Sequence, residues 1–252
     1  MNGPFRVLLI AAAVVYLGLC GSLYFSQRSL IYFPTPRSRG GETITLPLAN
    51  ERVLVSTRPL DGPRALIYFG GNAEDVSFSL PGLSAAFSDS AIYLLHYRGY
   101  GGSSGNPTEE ALFADALTLF DQVHPQHPNI EVVGRSLGSG VAVYVASMRP
   151  VTRLVLVTPF DSMQEVAELQ YPYVPVSWLL LDKFESWRYA PRVTAATVIL
   201  AAEHDEIVPR ANTELLQSRF KSGLLSFHVL AGTGHNSISE SPEYMPLLKG
   251  SP

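Results

Sequence analysis

The residues best suited to covalent chemistry are Gly134-Arg135-Ser136-Leu137-Gly138, a G-x-S-x-G pattern. A serine hydroxyl is a weak nucleophile at neutral pH. It needs a base to take its proton and a carboxylate to orient that base. Of the six histidines, His235 has the best position. It stands in Gly232-Thr233-Gly234-His235-Asn236, just after an apolar stretch, where glycines can present an imidazole. Asp205 supplies the carboxylate in Asp205-Glu206-Ile207-Val208-Pro209, 69 residues after Ser136 and 30 before His235. Glu203 and Glu206 are its near alternatives, and Asp161 is the more serious rival because it also follows a strand. Such a set would perform acyl transfer, in which serine attacks a carbonyl carbon and water later releases the acyl group. The oxygen that gains charge needs two preorganised donors. The backbone N–H groups of Leu137 and of Asn72, in Gly70-Gly71-Asn72-Ala73, are the candidates.

The remaining polar residues suggest little other chemistry. His96 ends an early strand, His204 neighbours Asp205, and His228 falls inside a strand. His124 and His127 flank Pro125 like a metal pair, but no further ligand is near, so they read as a solvated loop. The single cysteine, Cys20, excludes an intrachain disulfide framework and a cysteine-rich metal site. The chemistry needs no cofactor and no metal. A net charge of −4 without any basic run argues against nucleic acid as a main partner.

The elements that must position these groups follow an α/β pattern. Thr43–Leu46 and Arg52–Ser56 alternate apolar and polar residues, as half-exposed antiparallel strands at a sheet edge do. Ala65–Phe69 is continuously apolar and runs into Gly70-Gly71, the signature of a strand covered on both faces. Further strands are expected at Ala91–His96, Asn129–Val133, Arg153–Thr158, Thr197–Ala202 and Ser226–Ala231. Thr108-Glu109-Glu110 opens a helix to about Val123, with carboxylates in the turn where the helix dipole favours them. Leu137–Met148 is a second helix, and Ser139 and Gly140 are expected to keep its start slim against the sheet. Strands alternating with helices imply a mostly parallel central sheet with helices on both faces. Sites in such sheets lie at the carboxyl ends of the strands. Asp161–Ala190 breaks the alternation with Tyr171, Tyr173, Trp178, Trp187 and Tyr189, and reads as a small cap at 161–190.

The amino terminus is a different kind of segment. Val7–Gln27 holds 21 positions without a charge, long enough for a helix to cross the hydrocarbon layer. Tyr24 and Phe25 stand where interfacial aromatics collect. Residues 1–27 are thus expected to form a single-pass anchor, with 28–41 as a linker and 42–252 as the globular domain. A cleaved signal is the competing reading, and a lipidated Cys20 a third, though Leu19 is large for the position before it. Arg6 on one side and Arg28, Arg37 and Arg39 on the other leave the positive-inside rule without a strong vote. The short leader resembles bacterial signal-anchors that place the following domain outside the cytoplasm, at the inner membrane.

Several motifs occur in one order: Tyr68-Phe69-Gly70-Gly71-Asn72-Ala73-Glu74, Tyr97-Arg98-Gly99-Tyr100-Gly101-Gly102-Ser103-Ser104-Gly105 and Gly134–Gly140, then Asp205–Pro209 and Gly234-His235-Asn236. Together they resemble the Bem46-like α/β-hydrolase-domain proteins, over roughly residues 42–239. The resemblance implies the α/β-hydrolase fold and hydrolysis of an acyl ester or thioester. The aromatic cap and the anchor favour an apolar, lipid-like small molecule as substrate. Peptide hydrolysis on the same triad and an inactive membrane scaffold are the alternatives. One departure stands out: the family usually has His-Gly-Asn where this chain has Gly70-Gly71-Asn72, which bears on how firmly the oxyanion loop is held.

Overall fold

The computed structural model describes residues 3–38 and 40–250. Arg39, one of the charges flanking the apolar span, lies outside them. The chain opens with helix α1 (Gly3–Ile31), then strands β1 (Thr43–Thr45), β2 (Leu54–Arg58) and β3 (Arg64–Phe69). Helix α2 (Ser79–Ala86), strand β4 (Ala91–Leu95), helix α3 (Glu109–Val123), strand β5 (Asn129–Arg135), helix α4 (Leu137–Met148) and strand β6 (Arg153–Val157) follow. Three short helices come next, α5 (Met163–Gln170), α6 (Val176–Leu179) and α7 (Ser186–Tyr189). The order closes with β7 (Ala196–Ala202), α8 (Arg210–Gln217), β8 (Leu225–Leu230) and α9 (Tyr244–Lys249).

The eight strands make one sheet in the order β1-β2-β4-β3-β5-β6-β7-β8. Strand β2 pairs antiparallel with β1 and β4, and every pairing from β4 to β8 is parallel. Successive side chains of a strand point to opposite faces, so β3 feeds two cores. Ile67 and Phe69 pack with Leu112, Leu119 and Val141 of α3 and α4, while Leu66 and Tyr68 pack with Leu83 of α2 and Leu248 of α9. Each such buried side chain contributes about 1.5–3 kcal/mol relative to exposure. The carboxyl ends of β3, β5, β6 and β7 are thereby fixed side by side.

Three local expectations change. Strand β2 is not half-exposed: Leu54 to Thr57 are all buried. The strand lies one place in from the edge, and its polar residues are covered because Ser56 Oγ pairs with His96 Nε2 at 2.8 Å. His127 does not sit in a solvated loop. It is buried, with Nδ1 2.7 Å from Gly62 O and Nε2 3.1 Å from Tyr93 Oη. Helix α1 runs four residues beyond Gln27, since nothing breaks it before Pro34.

The segment after α1 crosses the domain surface under several bonds. Tyr32 is buried, the Phe33 N–H donates to Asn72 Oδ1 at 2.9 Å, and the Gly101 N–H donates to Thr35 O at 2.8 Å. Helices α5 to α7 occupy the stretch between β6 and β7, with α5 and α6 toward α1 and α7 against α4, where Tyr189 meets Tyr144 edge to face.

Candidate active site

The Ser136 turn joins β5 to α4 with almost no room. Ser136 has φ 49° and ψ −117°, a conformation that costs on the order of 1–3 kcal/mol in a residue with a Cβ. One well-buried core side chain offsets that amount, and local bonds hold the geometry. The Ser136 N–H donates to Val157 O on β6 at 2.8 Å, and Ser136 O accepts from the Ser139 N–H at 2.8 Å. Glycine is required on both sides. A Cβ on Gly134 would collide with Gly138 O and lie 2.5 Å from Ala142 Cβ, and one on Gly138 would collide with Phe69 O. Gly140 differs from expectation: its open side meets Phe184 and Phe160, not the sheet.

The structure brings Ser136, His235 and Asp205 into one chain of hydrogen bonds. His235 Nε2 lies 2.9 Å from Ser136 Oγ, and His235 Nδ1 lies 2.9 Å from each Asp205 oxygen. A carboxylate only accepts, so Nδ1 carries the proton and the Nε2 lone pair faces the serine hydroxyl. Both side chains are 4 % exposed. Asp205 Oδ1 is itself held by the N–H groups of Ile207 at 3.0 Å and Val208 at 2.7 Å.

The other carboxylates have different partners. Glu206 accepts from the His235 N–H at 3.1 Å, and Glu203 from the Gly232 N–H at 2.8 Å, so both brace the histidine loop through its backbone. Asp161 is buried and turned toward Arg219, 3.4 Å away, while its N–H donates to Asn212 at 2.7 Å. Burial raises the pKa of its carboxyl, against the lowering pull of Arg219.

Leu137 is the first residue of α4, where no carbonyl within the helix can take its N–H. Across from it lies the Gly70–Ala73 loop. The Gly71 N–H donates to Glu74 at 2.7 Å and Tyr97 Oη donates to Gly70 O at 2.9 Å. The Asn72 side chain turns toward the amino-terminal segment: Nδ2 donates to Ile31 O at 2.6 Å, and Oδ1 accepts from the Phe33 N–H and from Tyr100 Oη. Glycine at 70 has a local reason. A Cβ there would collide with Val76 Cγ1 and crowd Glu74 at 3.3 Å, so no histidine fits. Glu74, which also binds Tyr68 and Ser79, takes over as the prop of this loop.

Ser136 and His235 open into a cavity of about 660 Å³. Its walls are mainly apolar, with Leu23, Tyr24, Met163, Val166, Tyr171 and Leu179 among them. Glu74 and Arg135 are the charged carboxylate and guanidinium on its lining, and they face each other at 3.9 Å. Sequence reasoning missed the contribution of α1 to this wall. The only local signal was Gln27, a polar residue closing an otherwise apolar run.

A family model described as the alpha/beta hydrolase fold matches residues 66–194. An uncharacterised protein of Mycobacterium tuberculosis is 34% identical, over 89% of this chain and 85% of its own length. Protein bem46 of Schizosaccharomyces pombe is 26% identical, over 95% of this chain and 90% of its own. The lysophosphatidylserine lipase ABHD12 of Mus musculus is 30% identical over 63% of this chain, which spans 47% of that protein. Among solved structures, the esterase Pf2001 of Pyrococcus furiosus superposes with a TM-score of 0.70 at 14% identity, covering 86% of this chain and 97% of that one.

Proposed function

The chain is a Bem46-like member of the α/β-hydrolase family, and we propose that it is a serine hydrolase cleaving acyl esters or thioesters of apolar, lipid-like chains through an acyl-Ser136 intermediate. The hydrogen-bonded run from Asp205 through His235 to Ser136, opening into an apolar cavity, carries this reading. His235 Nε2 takes the hydroxyl proton as Ser136 Oγ bonds to the substrate carbonyl carbon. The electron pair displaced to the carbonyl oxygen is held by backbone N–H groups. Leu137 offers one. In the facing loop the Gly71 and Ala73 N–H groups already donate to Glu74 and to Asn72 Oδ1, so the second is assigned to Asn72. Collapse re-forms the carbonyl and expels the alcohol or thiol, which leaves with the proton from Nε2. Water repeats the sequence to free the acid and restore Ser136.

Peptide hydrolysis would need a polar subsite for a peptide terminus or charged flank. The carboxylates of the 161–190 segment that could supply one, Asp161, Glu165, Glu168, Asp182 and Glu185, do not line the cavity. Asp161, Asp182 and Glu185 are taken up by Arg219, Arg28 and Arg188. The lipase and esterase names of the relatives point the same way. Helix α1, 29 residues long with a mean hydropathy of 2.2 over its most apolar window, is assigned as a membrane anchor.

Labelling with a fluorophosphonate probe tests the enzyme reading. Wild type is expected to form a covalent adduct and Ser136→Ala none. Folded wild-type protein that stays unlabelled would overturn it. Esters, thioesters and aminoacyl amides of graded chain length then rank the bond types, with long-chain esters or thioesters expected to lead.

A further inference from the structure

Helix α1 does more than precede the domain. Leu23, Tyr24, Gln27, Leu30 and Ile31 line the cavity that holds Ser136 and His235. The same helix is fastened to the cap over its second half. Tyr16 Oη donates to Tyr173 O at 2.9 Å, and the Gln27 amide bridges Leu179 O at 3.1 Å and the Leu181 N–H at 2.7 Å. Arg28 and Tyr32 both reach the buried carboxylate of Asp182, at 3.1 and 3.2 Å.

Those contacts fix a depth. From Gln27 to Tyr16 the axis rises about 17 Å at 1.5 Å per residue, well into the uncharged run. A helix inserted through that run therefore carries the cap apex into the membrane with it. The apex is suited to such surroundings. Tyr173 is 88 % exposed and Trp178 87 %, and Leu169 and Leu181 of the same segment are exposed as well. Exposed large apolar side chains concentrated in one segment call for a partner, and the bonds that tie this segment to α1 at Tyr173, Leu179 and Leu181 identify the partner as the lipid bilayer.

We propose that the cap apex is seated in the bilayer beside α1, and that the cleft between them is a lateral port through which an acyl chain passes from the leaflet to Ser136. The proposal rests on the assignment of α1 as an anchor. The port serves both alternatives for the polar end of the substrate, because only the chain is recognised there.

The test uses the full chain in vesicles of phosphatidylcholine and phosphatidylglycerol. The protein has two tryptophans, Trp178 and Trp187, so Trp187→Phe leaves Trp178 as the only one. Lipids brominated on the acyl chain are expected to quench Trp178 by at least about half, with aqueous acrylamide a poor quencher. Vesicle flotation separates the two ideas. Protein that does not float overturns the anchor assignment. Protein that floats while Trp178 is quenched by acrylamide and not by bromine overturns the port alone. In the second arm, Tyr173→Asp with Trp178→Asp is expected to cut hydrolysis of a bilayer-borne long-chain ester about tenfold or more. Its rate on a soluble short-chain ester should stay within about twofold of wild type. Equal rates of wild type and variant on the bilayer-borne ester would overturn the port, as would equal losses on both substrates.

Discussion

Asp205 and Asp161 each follow a sheet strand, and along the chain nothing but flanking residues separates them. In space the two carboxylates point apart. The turn after β7 closes onto itself through Ile207 and Val208 and points Asp205 at His235. Asp161 meets Arg219, which arrives 58 residues later. Asp205→Asn is expected to lower kcat by about 10³–10⁴, since an amide that can donate no longer fixes the imidazole tautomer. Asp161→Asn should leave kcat within about fivefold and lower the thermal midpoint instead. Steady-state rates and melting curves on both variants check this, and a larger rate loss in Asp161→Asn would reverse the assignment. Ser136 was legible for the opposite reason: its strand, flanking glycines and helix are all contiguous, so local sterics suffice.

At the scale of elements, the β5–α4 turn and the β3 loop are two halves of one contact. Gly138 touches the carbonyls of Phe69 and Gly70, at the end of the strand that leads into Asn72. Gly138→Ala must push these apart. Overpacking of this kind costs about 1–3 kcal/mol, and here it falls on the loop facing Ser136, which holds the proposed Asn72 donor. Its kcat is expected to drop about 10- to 100-fold. Gly140→Ala, whose added carbon meets the edge of Phe184 at 3.1 Å, should be much milder, and parallel assays of the two variants make the comparison. The alternation of strands and helices was readable because burial on one or two faces stamps a period on the sequence. Burial of β2 was not, because Ser56 and Thr57 read as exposed until His96 is placed beside them. The docking of α1 was also hidden. Its partners in the cap lie 152 to 157 residues away, and pairings of that range leave no local pattern.

For the molecule as a whole, His96 makes stability depend on pH. Burial lowers its pKa to about 4, with Arg37 adding to the effect and Asp75 opposing it. The unfolded chain binds this proton near pH 6.5. Between those values the unfolded state holds more protons, so stability is intact above about pH 6.5 and declines as pH falls toward 4. The contribution lost is on the order of 3 kcal/mol. Asp161 and Glu109, whose carboxyl pKa values are raised by burial, act in the other direction. The difference between wild type and His96→Gln therefore isolates the histidine. Thermal midpoints are expected to fall more steeply between pH 6.5 and 4 in wild type than in the variant, and equal slopes would refute the assignment.

The bonds from Asn72 to Ile31 and Phe33 also set an order of assembly. During synthesis α1 is made before any of its polar partners in the rest of the domain. Ile31 and Phe33 then wait for Asn72 and Tyr100, and Gln27, Arg28 and Tyr32 wait longer, for Leu179 to Asp182. The loop facing Ser136 takes its final shape only when Asn72 has closed on Ile31 and Phe33, made some forty residues earlier. A protease that clips the chain after α1 would thus remove part of the wall of the cavity that holds Ser136 and His235.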